Sequence, residues 1–76
     1  MKYKAHILLH KSILDNAGNA VTHALQSIGF TSVLDTRIGK ILYFSASSDE
    51  EAELIIKSQT NEVMEYYEIE RLEQWK

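Results

Sequence analysis

The sequence predicts an α+β fold of the ferredoxin-like βαββαβ type, as a single domain over residues 1–76. Two observations predict it. Strand-like and helix-like hydrophobic periods alternate along the chain, and no linker or break in composition separates them. This arrangement places four strands in one antiparallel sheet. We expect both helices to cover one face of that sheet and the chain to oligomerise through the other face.

The first half of the chain has the pattern of a strand followed by a helix. Residues 3–9 alternate between two faces, as a strand does. Residues 17–28 follow a helical period instead, with Asp15 or Asn16 suited to the N-cap. Gly29 stands where a left-handed residue commonly ends a helix. The apolar positions of this helix form one stripe about 100° wide, made of Ala17, Val21, Ala24, Leu25 and Ile28.

A β-hairpin is predicted in the middle of the chain. Residues 32–38 and 41–46 both alternate as strands, and Gly39 and Lys40 lie between them. Glycine at the first of two central positions suits a type II′ turn. We therefore expect the two strands to pair directly with each other.

The last third of the chain predicts a helix and a final strand. Ser48 and Glu51 have the spacing of a capping box, ahead of a helix that ends near Gln59. Residues 62–72 then alternate as a strand with large apolar groups on both faces. For Trp75 the sequence leaves three alternatives: its side chain packs on the sheet, it packs on a neighbouring chain, or the end of the chain is frayed. The inner face of the helix is predicted to consist of Ala52, Ile55, Ile56 and Gln59.

Length and composition narrow the classes of function. A chain of 76 residues buries only about 60% of its unfolded surface. Cysteine is absent, so self-association is the expected route to stability. The formal charge of −3 offers no basic stripe for nucleic acid. The apolar run at residues 7–9 is too short for a signal peptide or a membrane span, so we expect a cytoplasmic protein.

No reaction centre emerges from the polar residues. His6 and His10 would lie about 13 Å apart along a strand, too far for two ligands of one metal ion. The Gly-Lys pair of the predicted turn is no Walker A motif, because Leu34 and Ile41 occupy positions that need Gly and Ser or Thr. We therefore predict no catalytic residue, no metal site and no cofactor site.

Three segments, in order along the chain, resemble the PurS family. Residues 13–21 resemble a family motif that consists of a hydrophobic pair, then Asp-Pro-x-Gly, then a small and a branched residue. Residues 33–40 resemble Val-x-Asp-x-Arg-x-Gly-Lys, and residues 61–69 resemble Asn-Pro-Val-Ile-Glu-Asp-Tyr-x-Ile. Asn16 and Glu62 stand where the family often has proline. The order, the spacing and the total length together make the resemblance specific.

The resemblance implies a non-catalytic subunit of phosphoribosylformylglycinamidine synthase, an enzyme of de novo purine biosynthesis. In that complex a glutaminase subunit releases ammonia and an ATP-dependent synthetase subunit uses it. The PurS-like subunit is expected to bridge the two and to assist ammonia transfer. The implied partners are therefore itself, as a homodimer or homotetramer, and these two subunits. ATP or ADP and magnesium are expected on the synthetase subunit, with no cofactor bound by this chain.

The resemblance also implies roles for seven positions, each either structural or partner-docking. The first two would shape the loop before the first helix. The next three would lie at the predicted hairpin and include the docking candidates Arg37 and Lys40. The last two would set the entry and packing of the final strand. In chain order these positions are Asp15, Gly18, Arg37, Gly39, Lys40, Asn61 and Tyr67.

The sequence is compatible with one other class of function and disfavours another. The alternative function is that of a small dimeric regulatory module that senses a ligand, because many functions share this type of fold. An RNA-binding domain fits poorly, because it needs exposed aromatic side chains on one sheet face with basic surroundings. Tyr43 and Phe44 are adjacent and so face opposite sides, and the net charge is negative.

Overall fold

The computed structural model describes residues 1–74 and contains three strands and two helices in that range. Both helices and the first two of these strands lie within one residue of their predicted bounds, whereas the last strand begins three residues later than predicted. Trp75 lies outside the described residues. In chain order the elements are β1 (Lys2–Leu9), α1 (Asn16–Ser27), β2 (Lys40–Ser45), α2 (Asp49–Gln59) and β3 (Glu65–Leu72).

The three described strands form one antiparallel sheet in the order β2-β1-β3. β1 lies in the centre, with Ile7 opposite both Lys40 and Tyr67. Alternation along β1 places Tyr3, Ala5 and Ile7 on one face, and all three are buried. This inner face carries the core.

The predicted four-stranded sheet is wrong for the described residues, because residues 33–39 form no strand. Gly39 is not the turn residue either. A type II′ turn needs a positive φ at its first central residue, and Gly29 is the described glycine with a positive φ. Lys40 already pairs with Ile7. Residues 33–39 therefore continue past the end of β1 instead of folding back on β2.

The reason is that side chains take the backbone groups that a hairpin would use. The Ile38 amide donates to Asp15 Oδ2 at 2.8 Å. The Val33 carbonyl accepts from Gln26 Nε2 at 2.7 Å. Both bonds tie residues 33–38 to α1 and its N-cap, so an alternating sequence becomes a segment beside a helix instead of a strand.

Both predicted caps of α1 are confirmed. Asp15 is the N-cap, and its carboxylate accepts from the Gly18 amide at 2.7 Å. At the other end Gly29 has φ 106°, and the Phe30 amide donates to the Leu25 carbonyl at 3.0 Å. This is the Schellman arrangement of a helix C-terminus.

The orientation of α1 differs from the prediction. Its buried residues are Gly18 and Thr22, whereas Ala17, Ala24 and Ile28 of the predicted inner stripe are exposed. The helix turns a small polar face to residues 33–38 and leaves three of the five residues of its apolar stripe exposed. No apolar side chain of α1 belongs to the described core, so the expectation that both helices cover the sheet face is wrong for α1. We call α1 together with residues 28–38 the arm.

α2 covers the inner face of the sheet as predicted with Ala52, Ile55 and Ile56, whereas Gln59 of its predicted inner face is exposed. Its N-cap Ser48 accepts from the Glu51 amide at 3.1 Å, which confirms the predicted cap. Tyr3 donates its hydroxyl to Asp49 Oδ1 at 2.6 Å and so fixes the start of α2 on β1. The buried apolar side chains of the described core are Tyr3, Ala5, Ile7, Ala46, Ala52, Ile56 and Leu72.

The outer face of the sheet carries more charge than predicted. Lys4 lies opposite Glu70, and His6 lies opposite Glu68, in the β1–β3 register. Cross-strand rows of this kind suit a solvated face. The outer face is therefore mixed, because exposed Ile41 and Tyr43 of β2 lie beside these charged rows, and its role in oligomerisation stays a prediction.

We expect Ile56→Ala to lower the free energy of unfolding by about 3 kcal/mol, because Ile56 is fully buried and the change leaves a cavity. Leu54→Ala is the matched control on the same helix. Leu54 is 67% exposed, so its loss should stay within about 0.5 kcal/mol. Urea unfolding followed by circular dichroism measures both values. Equal losses would contradict the described packing of α2.

Candidate functional site

Three of the seven predicted positions come together at the base of the arm. Asp15, Gly18 and Arg37 lie where residues 10–15, α1 and the segment before β2 meet. We call this meeting point the junction. An open groove of about 600 Å³ runs along it, lined by Lys11, Ser12, Ile13, Leu14, Asp15, Asn19, Asp35, Thr36 and Arg37.

Asp15 is the centre of the junction. Its carboxyl group is buried and accepts hydrogen bonds from two backbone amides, at Ile38 and Gly18. These two bonds, the one from Ile38 first, hold the pKa of Asp15 below its ordinary value. One side chain therefore caps α1 and anchors the segment that leads into β2.

Gly18 lets α1 approach that segment closely. A Cβ atom placed on Gly18 would lie 2.1 Å from the Thr36 carbonyl oxygen and 2.9 Å from the Asp15 carboxylate. A side chain there would force the backbones apart, so this position requires glycine.

Two further residues of the junction were missed by sequence reasoning. Thr22 donates to the Gly18 carbonyl and lies 2.7 Å from the Thr36 hydroxyl. Gln26 binds the Val33 carbonyl. Their signal was the spacing Gly18, Thr22, Gln26, which places three small or polar residues on one face of the helix.

Arg37 closes the loop formed by residues 10–15. Its guanidinium donates to the carbonyl oxygens of Lys11 at 2.8 Å, Ile13 at 3.0 Å and His10 at 3.4 Å. A planar fork with five donors suits several carbonyls at once. In this chain Arg37 therefore acts as an internal clip, and its predicted docking role stays a prediction.

Gly39 and Lys40 adjoin the junction at the start of β2. A Cβ atom on Gly39 would lie 2.5 Å from Leu8 Cδ2 and 2.9 Å from the Ile7 carbonyl oxygen, so the chain passes β1 very closely. Lys40 is exposed. Its ammonium group therefore remains a candidate for contact with a partner.

Asn61 and Tyr67 lie apart from the junction. Asn61 makes the turn into β3, where its carbonyl accepts from the Glu65 amide and its Oδ1 from the Val63 amide. Tyr67 packs half-buried against the core and donates to Glu53 Oε1 at 3.1 Å. Burial, followed by the bond to Glu53, raises the pKa of Tyr67.

The side chains of Asp15, Gln26 and Arg37 bind backbone groups of their own chain. Within residues 1–74, no three histidine, cysteine or acidic side chains are grouped so that they could hold a metal ion. In the same part of the chain, neither helix has the length and apolar character needed to cross a membrane. The hydrogen bonds of the junction hold α1 against the segment that leads into β2.

We expect the stability difference between the natural chain and Asp15→Asn to depend on pH. The folded pKa of Asp15 is lowered, so its ionised form stabilises the fold fully above the unfolded pKa of about 4. That contribution is lost as pH falls through the folded pKa. Urea unfolding at pH 7, 5 and 3 should show the variant much less stable at pH 7 and the difference smaller at pH 3, where the Asp15 carboxylate starts to protonate.

Asp35→Asn serves as the control, because Asp35 is exposed on the same segment. The pKa of Glu51 is also lowered, by bonds from the Ser47 backbone and hydroxyl. Glu51 is present in the natural chain and in both variants, so its contribution cancels from the stability differences. A difference for Asp15→Asn that stays constant from pH 7 to pH 3 would show that its ionised form does not hold the junction.

We expect Arg37→Met to loosen residues 10–15, because their carbonyls lose a shared donor. The loss in unfolding free energy should be about 1 kcal/mol, with faster amide hydrogen exchange at Ile13. Lys40→Met is the control, since Lys40 is exposed and its substitution also removes one positive charge. If Arg37→Met leaves both quantities unchanged in the isolated chain, the clip does not stabilise the loop.

Comparison with known proteins assigns the family. Residues 2–73 match the family described as PurS: Phosphoribosylformylglycinamidine (FGAM) synthase. The phosphoribosylformylglycinamidine synthase subunit PurS of Bacillus subtilis is 36% identical over 75 residues, which cover 91% of this chain and 89% of that protein.

Solved structures agree. A C2 crystal form of Bacillus subtilis PurS superposes with a TM-score of 0.76 at 36% identity, covering 91% of this chain and 94% of that one. Methanocaldococcus jannaschii PurS, described as one of the subunits of formylglycinamide ribonucleotide amidotransferase, gives a TM-score of 0.72 at 25% identity, covering 95% and 98%. The predicted resemblance is confirmed, and the chain belongs to the PurS family of phosphoribosylformylglycinamidine synthase.

Proposed function

We propose that this chain is the small, non-catalytic subunit of a phosphoribosylformylglycinamidine synthase. In this role it bridges a glutaminase subunit and a synthetase subunit and assists the transfer of ammonia between them. The observation that carries the proposal is the family match over residues 2–73. The Methanocaldococcus jannaschii relative is described as one of the subunits of an amidotransferase of purine biosynthesis, and we extend that role to this chain.

The engagement of the polar side chains supports a non-catalytic role. A general acid, base or nucleophile must reach a substrate atom. Asp15 instead binds two amides of its own chain, and Arg37 binds three of its carbonyls. Tyr67 is bound to Glu53. These groups hold the fold, so the contribution of the chain to the enzyme is its surface.

The proposal includes the surroundings of this subunit. The chain assembles with itself, as a homodimer or homotetramer, and with the glutaminase and synthetase subunits in the cytoplasm. ATP or ADP and magnesium belong to the synthetase subunit. Exposed Lys40 at the edge of the junction is the docking candidate whose side chain is available for a partner.

Reconstitution of the three subunits tests the bridging role. With purified glutaminase and synthetase, omitting this chain should lower glutamine-dependent product formation by about 100-fold, because ammonia released away from the synthetase is diluted. The rate with an added ammonium salt should remain, because the synthetase chemistry does not use this chain.

Two results would contradict the proposal. One is an unchanged glutamine-dependent rate when this chain is absent. The other is loss of the ammonia-dependent rate as well, which would place the chain in the chemistry itself. The chain alone, assayed at the same concentration, is the control and should form no product.

A further inference from the structure

The inner face of the sheet is covered only in part. Ile56 of α2 packs against Ala5 and Ile7, whereas Leu9, further along the same face, belongs to neither core cluster of the described residues. An open space of about 290 Å³ lies over this end of the sheet, beside the first turn of α1. We call this space the cleft, and its lining includes Ile7, Leu9, Ala17, Ile38, Lys40 and Glu65.

The floor of the cleft is apolar. It is lined by Ile7 and Leu9 of β1 and by Ile38, which comes two residues before β2, and Ala17 of α1 lines its side. Ile38 is 41% exposed, so its side chain is available to a ligand. Sites for small molecules are typically concave, largely apolar and about 300–1,000 Å³ in volume. The cleft lies at the lower end of that range and therefore suits a small ligand.

Two opposite charges flank this floor. Lys40 lies beside Ile7 in the β1–β2 register, and Glu65 lies beside Leu9 in the β1–β3 register. β2 therefore places an ammonium group on one side of the cleft, and β3 places a carboxylate on the other. Two strand spacings and an offset of two residues separate the two Cα atoms by about 12 Å. Since both residues line the cleft, a small ligand between them meets both charges.

Both charged side chains are able to bind a further group. Lys40 is exposed, and its ammonium group forms no ion pair with a side chain of residues 1–74. Glu65 is half-buried, and its Oε1 accepts from the Asn61 amide at 2.9 Å, which orients the carboxylate and leaves Oε2 for a ligand. Asp15 also lines the cleft, but its two oxygens already bind the amides of Gly18 and Ile38.

We propose that the cleft binds a small zwitterion, an α-amino acid with an aliphatic side chain. Glu65 Oε2 accepts a hydrogen bond from the ammonium group of the ligand, and Lys40 Nζ donates to its carboxylate. The aliphatic side chain lies on Leu9 and Ile38. This inference goes beyond the proposed function, because the bridging role requires no small ligand.

The pair of opposite charges favours a zwitterion over a simple ion. A cation without a carboxylate would leave Lys40 unpaired and be repelled by it. An anion without an ammonium group would be repelled by Glu65. A molecule that carries both charges pairs with both residues, and hydrogen bonds between charged groups are about twice as strong as neutral ones. The apolar floor then selects an aliphatic side chain over a polar one, because a polar group placed there loses its water without a new partner.

A titration of the full ¹⁵N-labelled chain with L-leucine tests the site. We expect saturable shifts in the amide signals of Leu9, Lys40 and Glu65, with a Kd of about 1 mM or lower. Leucinol lacks the carboxylate and 4-methylpentanoate lacks the ammonium group, so each should bind about 10-fold more weakly or less. L-Glutamine keeps both charges but has a polar side chain, and it should also bind more weakly than L-leucine.

Substitutions assign the two charged contacts. Lys40→Met and Glu65→Gln should each weaken L-leucine binding by about 10-fold. Lys40→Met should leave the weak binding of leucinol unchanged, because leucinol has no carboxylate for Lys40; a general change in the fold would weaken both ligands. Lys4→Met is the matched control, since it removes the same charge on the outer face of β1, opposite Glu70. This control should bind L-leucine as the natural chain does.

Three outcomes would overturn the inference. One is the absence of saturable shifts at about 20 mM L-leucine, where binding with a Kd of about 1 mM would be nearly complete. The second is leucinol binding as tightly as L-leucine. The third is a loss of affinity in Lys4→Met as large as that in Lys40→Met. Reconstituted glutamine-dependent activity is measured without L-leucine, so the bridging role can stand if this site fails.

Discussion

The buried carboxylate of Asp15 is the interaction on which the shape of this chain depends. It binds the Gly18 amide inside α1 and the Ile38 amide just before β2. An unpaired carboxylate would be costly to bury, and two amide donors offset that cost. Since the same carboxylate binds both elements, the start of α1 and the entry to β2 cannot separate without leaving one of its buried oxygens unpaired.

Much of the fold could be predicted because its signals are local. Alternation located β1 and β2, and the Ser48 cap located α2. Asp15 and Gly29 marked the ends of α1 from residue type alone. β3 began later than predicted, because Asn61 forms a turn that its sequence pattern did not separate from the strand.

The fourth strand and the orientation of α1 could not be predicted, because both depend on contacts between distant residues. Alternation at residues 33–38 describes an extended backbone but does not name its partner. The partners are the side chains of Asp15 and Gln26. Of the candidate site, the family resemblance selected Asp15, Gly18 and Arg37, which the structure brings together, while Asn61 and Tyr67 support other parts of the fold.

The central claim is that residues 33–39 continue away from the core instead of folding back on β2 as a hairpin. The most direct test is the distance between spin labels at Leu34 and Ser45, in a doubly labelled cysteine variant diluted into unlabelled chain. An extended run should separate the two positions by roughly 30 Å. A hairpin within one chain would bring their Cα atoms to about 5.5 Å, and that short distance would contradict the account.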